Sequence, residues 1–263
     1  MNKLVSRIAY ITGGAMGNGE GIARVFARYG ATVILADISE KVFETARNLQ
    51  SQGFSALGFK VDVRNFDEVK KSVNEVLEKF HKVDILVNNA GVIKLANFLD
   101  MSDEVRDFHF DVNIKGTWNC TKAILPSMIR QKYGRIIIMS SVTGPMVADE
   151  GETAYAITKA ALWGFTKALA REVAKYNITV NAICPGYIMT PMAMEIARQS
   201  NPDNPEAVIE GIARGVPLGR LGTIEEVGEL AAFLASNESS YLTGTQIVID
   251  GGSTLPETVS VGV

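Results

Sequence analysis

The chain has 263 residues, 47% hydrophobic and 21% charged, with a formal net charge of −3 and a pI near 5.6. This composition excludes a disordered chain, and the mild acidity leaves no electrostatic footprint for nucleic acid. Residues 1–7 carry no signal-peptide core and no apolar run is long enough to span a bilayer, so a cytoplasmic protein with no membrane partner is expected.

Short β-type runs fall at 7–11, 32–36, 56–61, 84–87, 135–139, 179–183 and 246–249. Several are apolar on both faces, as parallel strands covered by helices must be. Helical patterns lie between them near 19–29, 40–51, 66–80, 103–131, 153–176 and 225–235. Strict alternation predicts an α/β fold: a single doubly wound Rossmann domain over 1–263, with a seven-stranded parallel sheet flanked by helices on both faces. Prolines and glycines interrupt 190–217, which reads as a substrate-covering flap within that domain, not a boundary. Cys120 and Cys184 stand far apart in apolar settings and read as buried thiols of a reducing compartment.

The turn after the first strand is Thr12-Gly13-Gly14-Ala15-Met16-Gly17-Asn18-Gly19-Glu20-Gly21, and it opens a helix. Glycines permit a tight turn, and the helix start offers free N–H groups to a pyrophosphate. Any tight strand-to-helix turn can use glycine, but the place in the chain favours a dinucleotide. Asp37 ends the second strand, 18 residues after Gly19. A carboxylate there can accept from both adenosine ribose hydroxyls and repels a 2′-phosphate. The competing use is helix capping, for which Ser39 is the better candidate. With no Arg or Lys at 36–40, NAD is expected over NADP.

Tyr155 and Lys159 are four residues apart in a helical run, on one face. A free tyrosine, with a pKa of about 10, is a poor base, and lowering it by roughly 3 units takes about 4 kcal/mol. An ammonium at about 5 Å in an effective dielectric near 20 supplies roughly 3 kcal/mol. On its own the pair reads first as an ordinary amphipathic helix with an exposed lysine.

Together, the glycine turn, Asp37 and the Tyr155–Lys159 pair resemble, over the whole chain, the short-chain dehydrogenase/reductase family. The resemblance implies catalytic roles for Asn113 in Asn113-Ile114-Lys115-Gly116, Ser141 in Ser140-Ser141-Val142-Thr143-Gly144, Tyr155 and Lys159. It implies cofactor contacts from Gly13, Met16, Gly17, Asn18, Gly19, Asp37, Ile38, Asp62, Val63, Asn89, Ala90, Gly91, Tyr155 and Lys159. From Pro185-Gly186-Tyr187-Ile188-Met189-Thr190 it adds Pro185, Gly186, Ile188 and Thr190, with Met192 beyond them. Substrate contacts would come from Ile93, Ser141, Thr143, Pro145, Met146, Tyr155 and Tyr187. Two positions depart from the family pattern. Asn18 stands where an aliphatic residue is usual, and Ser141 lies 14 residues before Tyr155, one more than is common.

Under this reading Tyr155 is the acid/base, Ser141 donates to the substrate oxygen, Lys159 also donates to the nicotinamide ribose, and Asn113 holds a relay water. No metal is expected, because His81 and His109 are isolated and read as surface or helix residues. Pro145, Met146, Val147, Met192, Met194 and Ile196 suggest an apolar pocket, with Asp149, Glu150 and Glu152 as a solvated loop edge. The expected function is NAD(H)-dependent interconversion of a small or hydrophobic secondary alcohol and its ketone. The alternatives are an NADPH-dependent ketoreductase and a non-enzymatic NAD-binding redox sensor. Long helices at 103–131 and 153–176 pair between subunits in the family, implying a homotetramer, with a dimer second. The sparsely charged tail 251–263 suggests docking on a neighbouring subunit.

Overall fold

The computed structural model describes residues 2–255. Among them are seven strands: β1 (Ile8–Thr12), β2 (Thr32–Asp37), β3 (Ala56–Lys60), β4 (Ile85–Asn88), β5 (Gly134–Met139), β6 (Ile178–Pro185) and β7 (Gln246–Ile249). They form one parallel sheet in the order β3-β2-β1-β4-β5-β6-β7. The order reverses between β1 and β4, which opens a crevice at the carboxyl ends of those strands.

The helices are α1 (Gly17–Arg28), α2 (Lys41–Ser51), α3 (Phe66–Phe80), α4 (Asp103–His109), α5 (Gly116–Gln131), α6 (Thr153–Val173), α7 (Pro191–Ser200), α8 (Pro205–Gly215) and α9 (Ile224–Ala235). Successive strand residues point to opposite faces, and the two cores divide accordingly. Ala9, Ile11, Val33 and Leu35 pack with Ile22, Phe26, Val42, Val227 and Ala231 of α1, α2 and α9. Ile8, Tyr10, Ile34 and Ala36 pack on the other face with Val69, Val73, Ile124, Met128 and Leu162 of α3, α5 and α6. The α1–α9 crossing is close: a Cβ on Gly21 would lie 2.4 Å from the Ile224 carbonyl.

Local chemistry sets the helix ends. Asn65 Oδ1 accepts from the N–H groups of Asp67 and Glu68 and starts α3, and His81 ends it in the left-handed region at φ 62°. Thr223 and Glu226 form a reciprocal capping box at α9. Ser39 does not occupy the N-cap of α2; Glu40 does, and Ser39 Oγ accepts from Lys41 N one residue earlier.

Two expectations are corrected. The single helix over 103–131 is interrupted by a π-helical turn at Phe110–Lys115. Residues 190–217, which read from the sequence as a segment interrupted by prolines and glycines, hold two proline-started helices, α7 and α8. Their small core is Ala197, Ile209 and Leu221, and Met194 packs into it. The tail expectation falls largely on 256–263, outside the described residues.

Candidate active site

The glycine turn is clamped onto the end of β4. Asn89 Nδ2 donates to the carbonyls of Thr12 (2.9 Å) and Gly13 (3.1 Å), while Thr12 Oγ1 accepts from the N–H groups of Asn89 and Ala90. Gly13 and Gly17 have φ values of 64° and 59°, which a side chain would strain. Met16 provides no side-chain cap for α1. Among the described residues no acceptor takes the N–H groups of Gly17, Asn18 or Gly19, so the anion-attracting end of the helix is open. Asn18 Oδ1 is buried there with no hydrogen-bond partner.

Asp37 reaches the same turn from β2: its Oδ2 accepts from Ala15 N at 3.0 Å and its Oδ1 from Ser39 N at 2.9 Å. Ile38 beside it is exposed. Asp62 is less free than its sequence position suggests. Both its oxygens take hydrogen bonds from the Arg64 guanidinium, which hold the carboxyl below its usual range. Val63 is buried, with its side chain against Gly116 and its carbonyl accepting from Asn119 Nδ2. Both residues flank the crevice but are already engaged in packing or pairing.

The four residues assigned catalytic roles come from three separate stretches. The π-turn widens the helix at Asn113 and sends its amide out of the helix. Its Oδ1 accepts from Val92 N at 2.8 Å, and its Nδ2 donates to Val92 O (3.1 Å) and Thr158 Oγ1 (2.9 Å). Such turns are often found at functional sites because they redirect one residue without ending the helix. Lys159 is buried at 5% exposure, donates to the Met139 carbonyl at 2.8 Å, and holds Nζ 5.4 Å from the Tyr155 ring centroid. Ser141, two residues beyond β5, accepts from Thr143 N at 3.1 Å. A Cβ on Gly91 would stand 3.4 Å from Asn113 Oδ1 and 3.5 Å from Lys159 Nζ. The missing side chain therefore leaves a cradle where the amide and the ammonium converge.

The electrostatics differ from the estimate for an isolated pair. Burial pushes the Tyr155 phenol up to about 12, partly offset by a hydrogen bond with Ser141 and reinforced by the nearby Glu152 charge. Burial also brings Lys159 down to about 8. Desolvation dominates both shifts because both groups sit in the protein, not at a helix surface in water. Glu152 is likewise no solvated loop edge: its Oε2 is buried without a partner, and burial together with Asp149 raises its carboxyl.

After β6 the chain turns at Pro185 and Gly186, where Gly186 N donates to Ile249 O at 3.0 Å. Ile188 is buried and paired with Gly222. Thr190 caps α7, accepting from Ala193 N, and lies 3.7 Å from where a Gly17 Cβ would be. Met192 is exposed at the start of α7. Tyr187 donates to Asp149 Oδ2 at 3.2 Å, tying this turn to the 142–151 loop. Around the opening Thr143 is buried, Ile93 and Pro145 are half-buried, and Met146 is exposed.

Several supporting groups have no sequence signature. Thr158 Oγ1 links Asn113 to the Tyr155 carbonyl, to which it donates at 2.7 Å, and Ser140 Oγ donates to the Lys159 carbonyl at 2.8 Å. His109 is fully buried, donating from Nδ1 to Val105 O and accepting from Lys94 N at Nε2, which pins the 92–99 loop. Only the π-turn and the folding of that loop bring these partners together.

Known proteins resemble this chain over nearly its whole length. A family model described as Enoyl-(Acyl carrier protein) reductase matches residues 13–254. The chain is 63% identical over 263 residues to Oxidoreductase UcpA of Salmonella typhimurium, covering all of both chains. It is 42% identical over 257 residues to 3-oxoacyl-[acyl-carrier-protein] reductase FabG of Thermotoga maritima, covering 95% of this chain and 98% of the relative. The crystal structure of levodione reductase superposes with a TM-score of 0.92 at 30% identity, over 96% of this chain and 99% of that one. Among the described residues no helix is long and apolar enough to cross a membrane. The chain belongs to the short-chain dehydrogenase/reductase family of nicotinamide-dependent oxidoreductases.

Proposed function

We propose that the protein is an NAD(H)-dependent oxidoreductase that interconverts a secondary alcohol and its ketone, with Tyr155 as acid/base. The observation that carries this reading is the cradle at Gly91, where Asn113 Oδ1 and Lys159 Nζ meet one point beside the open start of α1. The free helix N-terminus and the glycine turn suit a dinucleotide pyrophosphate. Asp37, with no Lys or Arg at 36–40, favours an unphosphorylated adenosine ribose.

A bound nicotinamide supplies the acceptor or donor of hydride. In the oxidation direction Tyr155 Oη takes the hydroxyl proton as the carbinol carbon gives up hydride, so the alcohol loses two electrons and two hydrogens. Ser141 Oγ donates to the substrate oxygen and stabilises its alkoxide character. The Lys159 ammonium favours the phenolate, and its remaining donors serve a ribose hydroxyl. Asn113, locked by Val92 and Thr158, positions the relay that returns the proton to solvent. In reduction Tyr155 is the acid.

The 190–217 segment serves as the flap over the substrate. Ile93, Thr143, Pro145, Met146 and Tyr187 frame the substrate, and Glu152, whose Oε2 has no partner, makes the opening more polar than the methionines suggest. Assembly is proposed as a cytoplasmic homotetramer through α5 and α6. Trp118, 57% exposed and 6.0 Å from the Phe165 ring, offers an apolar contact there.

The test titrates NAD, NADH, NADP and NADPH by intrinsic fluorescence, then measures turnover on an alcohol and ketone panel for wild type and Tyr155→Phe. Tight NADH binding with turnover at least about 100-fold lower in the variant is expected. NADPH preference refutes the cofactor assignment, and undiminished turnover in Tyr155→Phe refutes the acid/base assignment.

A further inference from the structure

Residues 92–97 adopt no regular secondary structure, yet three of their N–H groups are each taken by a different element. Val92 N donates to Asn113 Oδ1 in the π-turn at 2.8 Å, Lys94 N to His109 Nε2 of α4 at 3.0 Å, and Ala96 N to the Gly151 carbonyl at 3.1 Å. The outer two anchors are the amide assigned a catalytic role and the loop that leads into α6. The middle anchor is a side chain that the mechanism does not use.

The chemistry of His109 fits it to that place. Its ring is fully buried, and Nδ1 lies 2.7 Å from the Val105 carbonyl, which can only accept. The proton of the neutral ring therefore sits on Nδ1, and Nε2 is left bare to accept from Lys94 N. Lys94 Nζ lies 5.3 Å from the Phe108 ring centroid, so backbone and side chain of this residue both meet α4. Ile93, which frames the substrate, falls between the anchored N–H groups of Val92 and Lys94.

We infer that His109 is a positioning residue for the reaction: by holding Lys94 N it fixes Ile93 and keeps residues 92–97 stretched between Asn113 and the loop at Gly151. This rests on the alcohol–ketone reading of the cleft. Without the anchor Asn113 keeps its bonds to Val92 and Thr158 and the glycine turn keeps its own, so the loss falls on substrate alignment and not on the cofactor.

The experiment separates the two hydrogen bonds of the ring. His109→Gln places a carbonyl oxygen near the Nε2 position, so it can accept from Lys94 N but gives up Val105 O. His109→Asn keeps a donor for Val105 O and cannot reach Lys94, and His109→Phe fills the space and makes neither bond. Turnover on the alcohol and ketone panel is measured well below each Tm, with NADH titration, thermal melting and hydrogen exchange of the 92–97 amides. His109→Gln should keep kcat/KM within about 3-fold of wild type, while His109→Asn and His109→Phe lose about 10-fold or more, mainly through KM. NADH affinity should hold in all three, and exchange over 92–97 should quicken only in His109→Asn and His109→Phe. Activity that follows Tm across the variants instead of the acceptor for Lys94 overturns the inference. So does an equal loss in all three, a parallel loss of NADH affinity, or full activity in His109→Phe. Wild type that turns over nothing in the panel overturns the functional reading and with it any role of His109 in the reaction, whereas the exchange pattern separately decides whether the anchor exists.

Discussion

Replacing Lys159 with Met should make the cofactor-free protein more stable and abolish its turnover. The side chain is 5% exposed, its ammonium donates to the Met139 carbonyl, and burial lowers its pKa from 10.5 to about 8. At about 1.36 kcal/mol per pKa unit, carrying the charge into the fold costs roughly 3 kcal/mol. Loss of the hydrogen bond to Met139 O offsets about 1 kcal/mol of that. The net gain at pH 7 is about 2 kcal/mol, or roughly 4–8 °C in Tm for a chain of this size. The pH dependence is the sharper test. Below pH 8 the lysine is protonated in both states, so the cost is constant. Between pH 8 and 10.5 the unfolded chain holds more protons than the folded one, and wild-type stability rises with pH. The advantage of the variant should therefore shrink across that window and end near zero or slightly reversed. Urea denaturation of both proteins at pH 7, 8, 9 and 10 measures it. A variant that is less stable at pH 7, or a gap that does not change with pH, refutes the burial argument.

Glu152→Gln removes a carboxylate that opposes the Tyr155 phenolate, so the tyrosine-dependent limb of the pH–rate profile should move to lower pH. An unmoved limb would show that the two groups do not interact. Asp37→Ala should weaken NAD binding about 10-fold and raise the NADP/NAD ratio, since one carboxylate both accepts from ribose hydroxyls and repels phosphate. Unchanged selectivity in parallel titrations would remove Asp37 as the discriminator. Gly21→Ala places a Cβ 2.4 Å from the Ile224 carbonyl and should cost about 1–3 kcal/mol of stability. A neutral result in denaturant melts would mean that α1 and α9 can part without cost.

Period and order along the chain were enough to determine the architecture. Apolar runs such as 34–36 and 136–139, separated by helical patterns, cannot be buried except as parallel strands covered on both faces, and the observed sheet has that form. The glycine turn and the Tyr155–Lys159 spacing were legible for the same reason, because each is a local geometry written in neighbouring residues. Tertiary structure alone decided what depends on partners distant in sequence. The pattern over 103–131 reads as one helix, and only the docking of Asn113 onto Val92 and Thr158 accompanies the π-turn. His109 reads as a surface or helix residue; it does lie in α4, and its burial depends on the 92–99 loop, where Lys94 N donates to it. Glu152 reads as a solvated edge, but its Oε2 is buried in the fold, and the pairing of Asp62 with Arg64 appears only in the structure. The Tyr155 pKa is decided in the same way. A sequence specifies which charges are near, but desolvation depends on everything packed around them, and only the folded chain determines that.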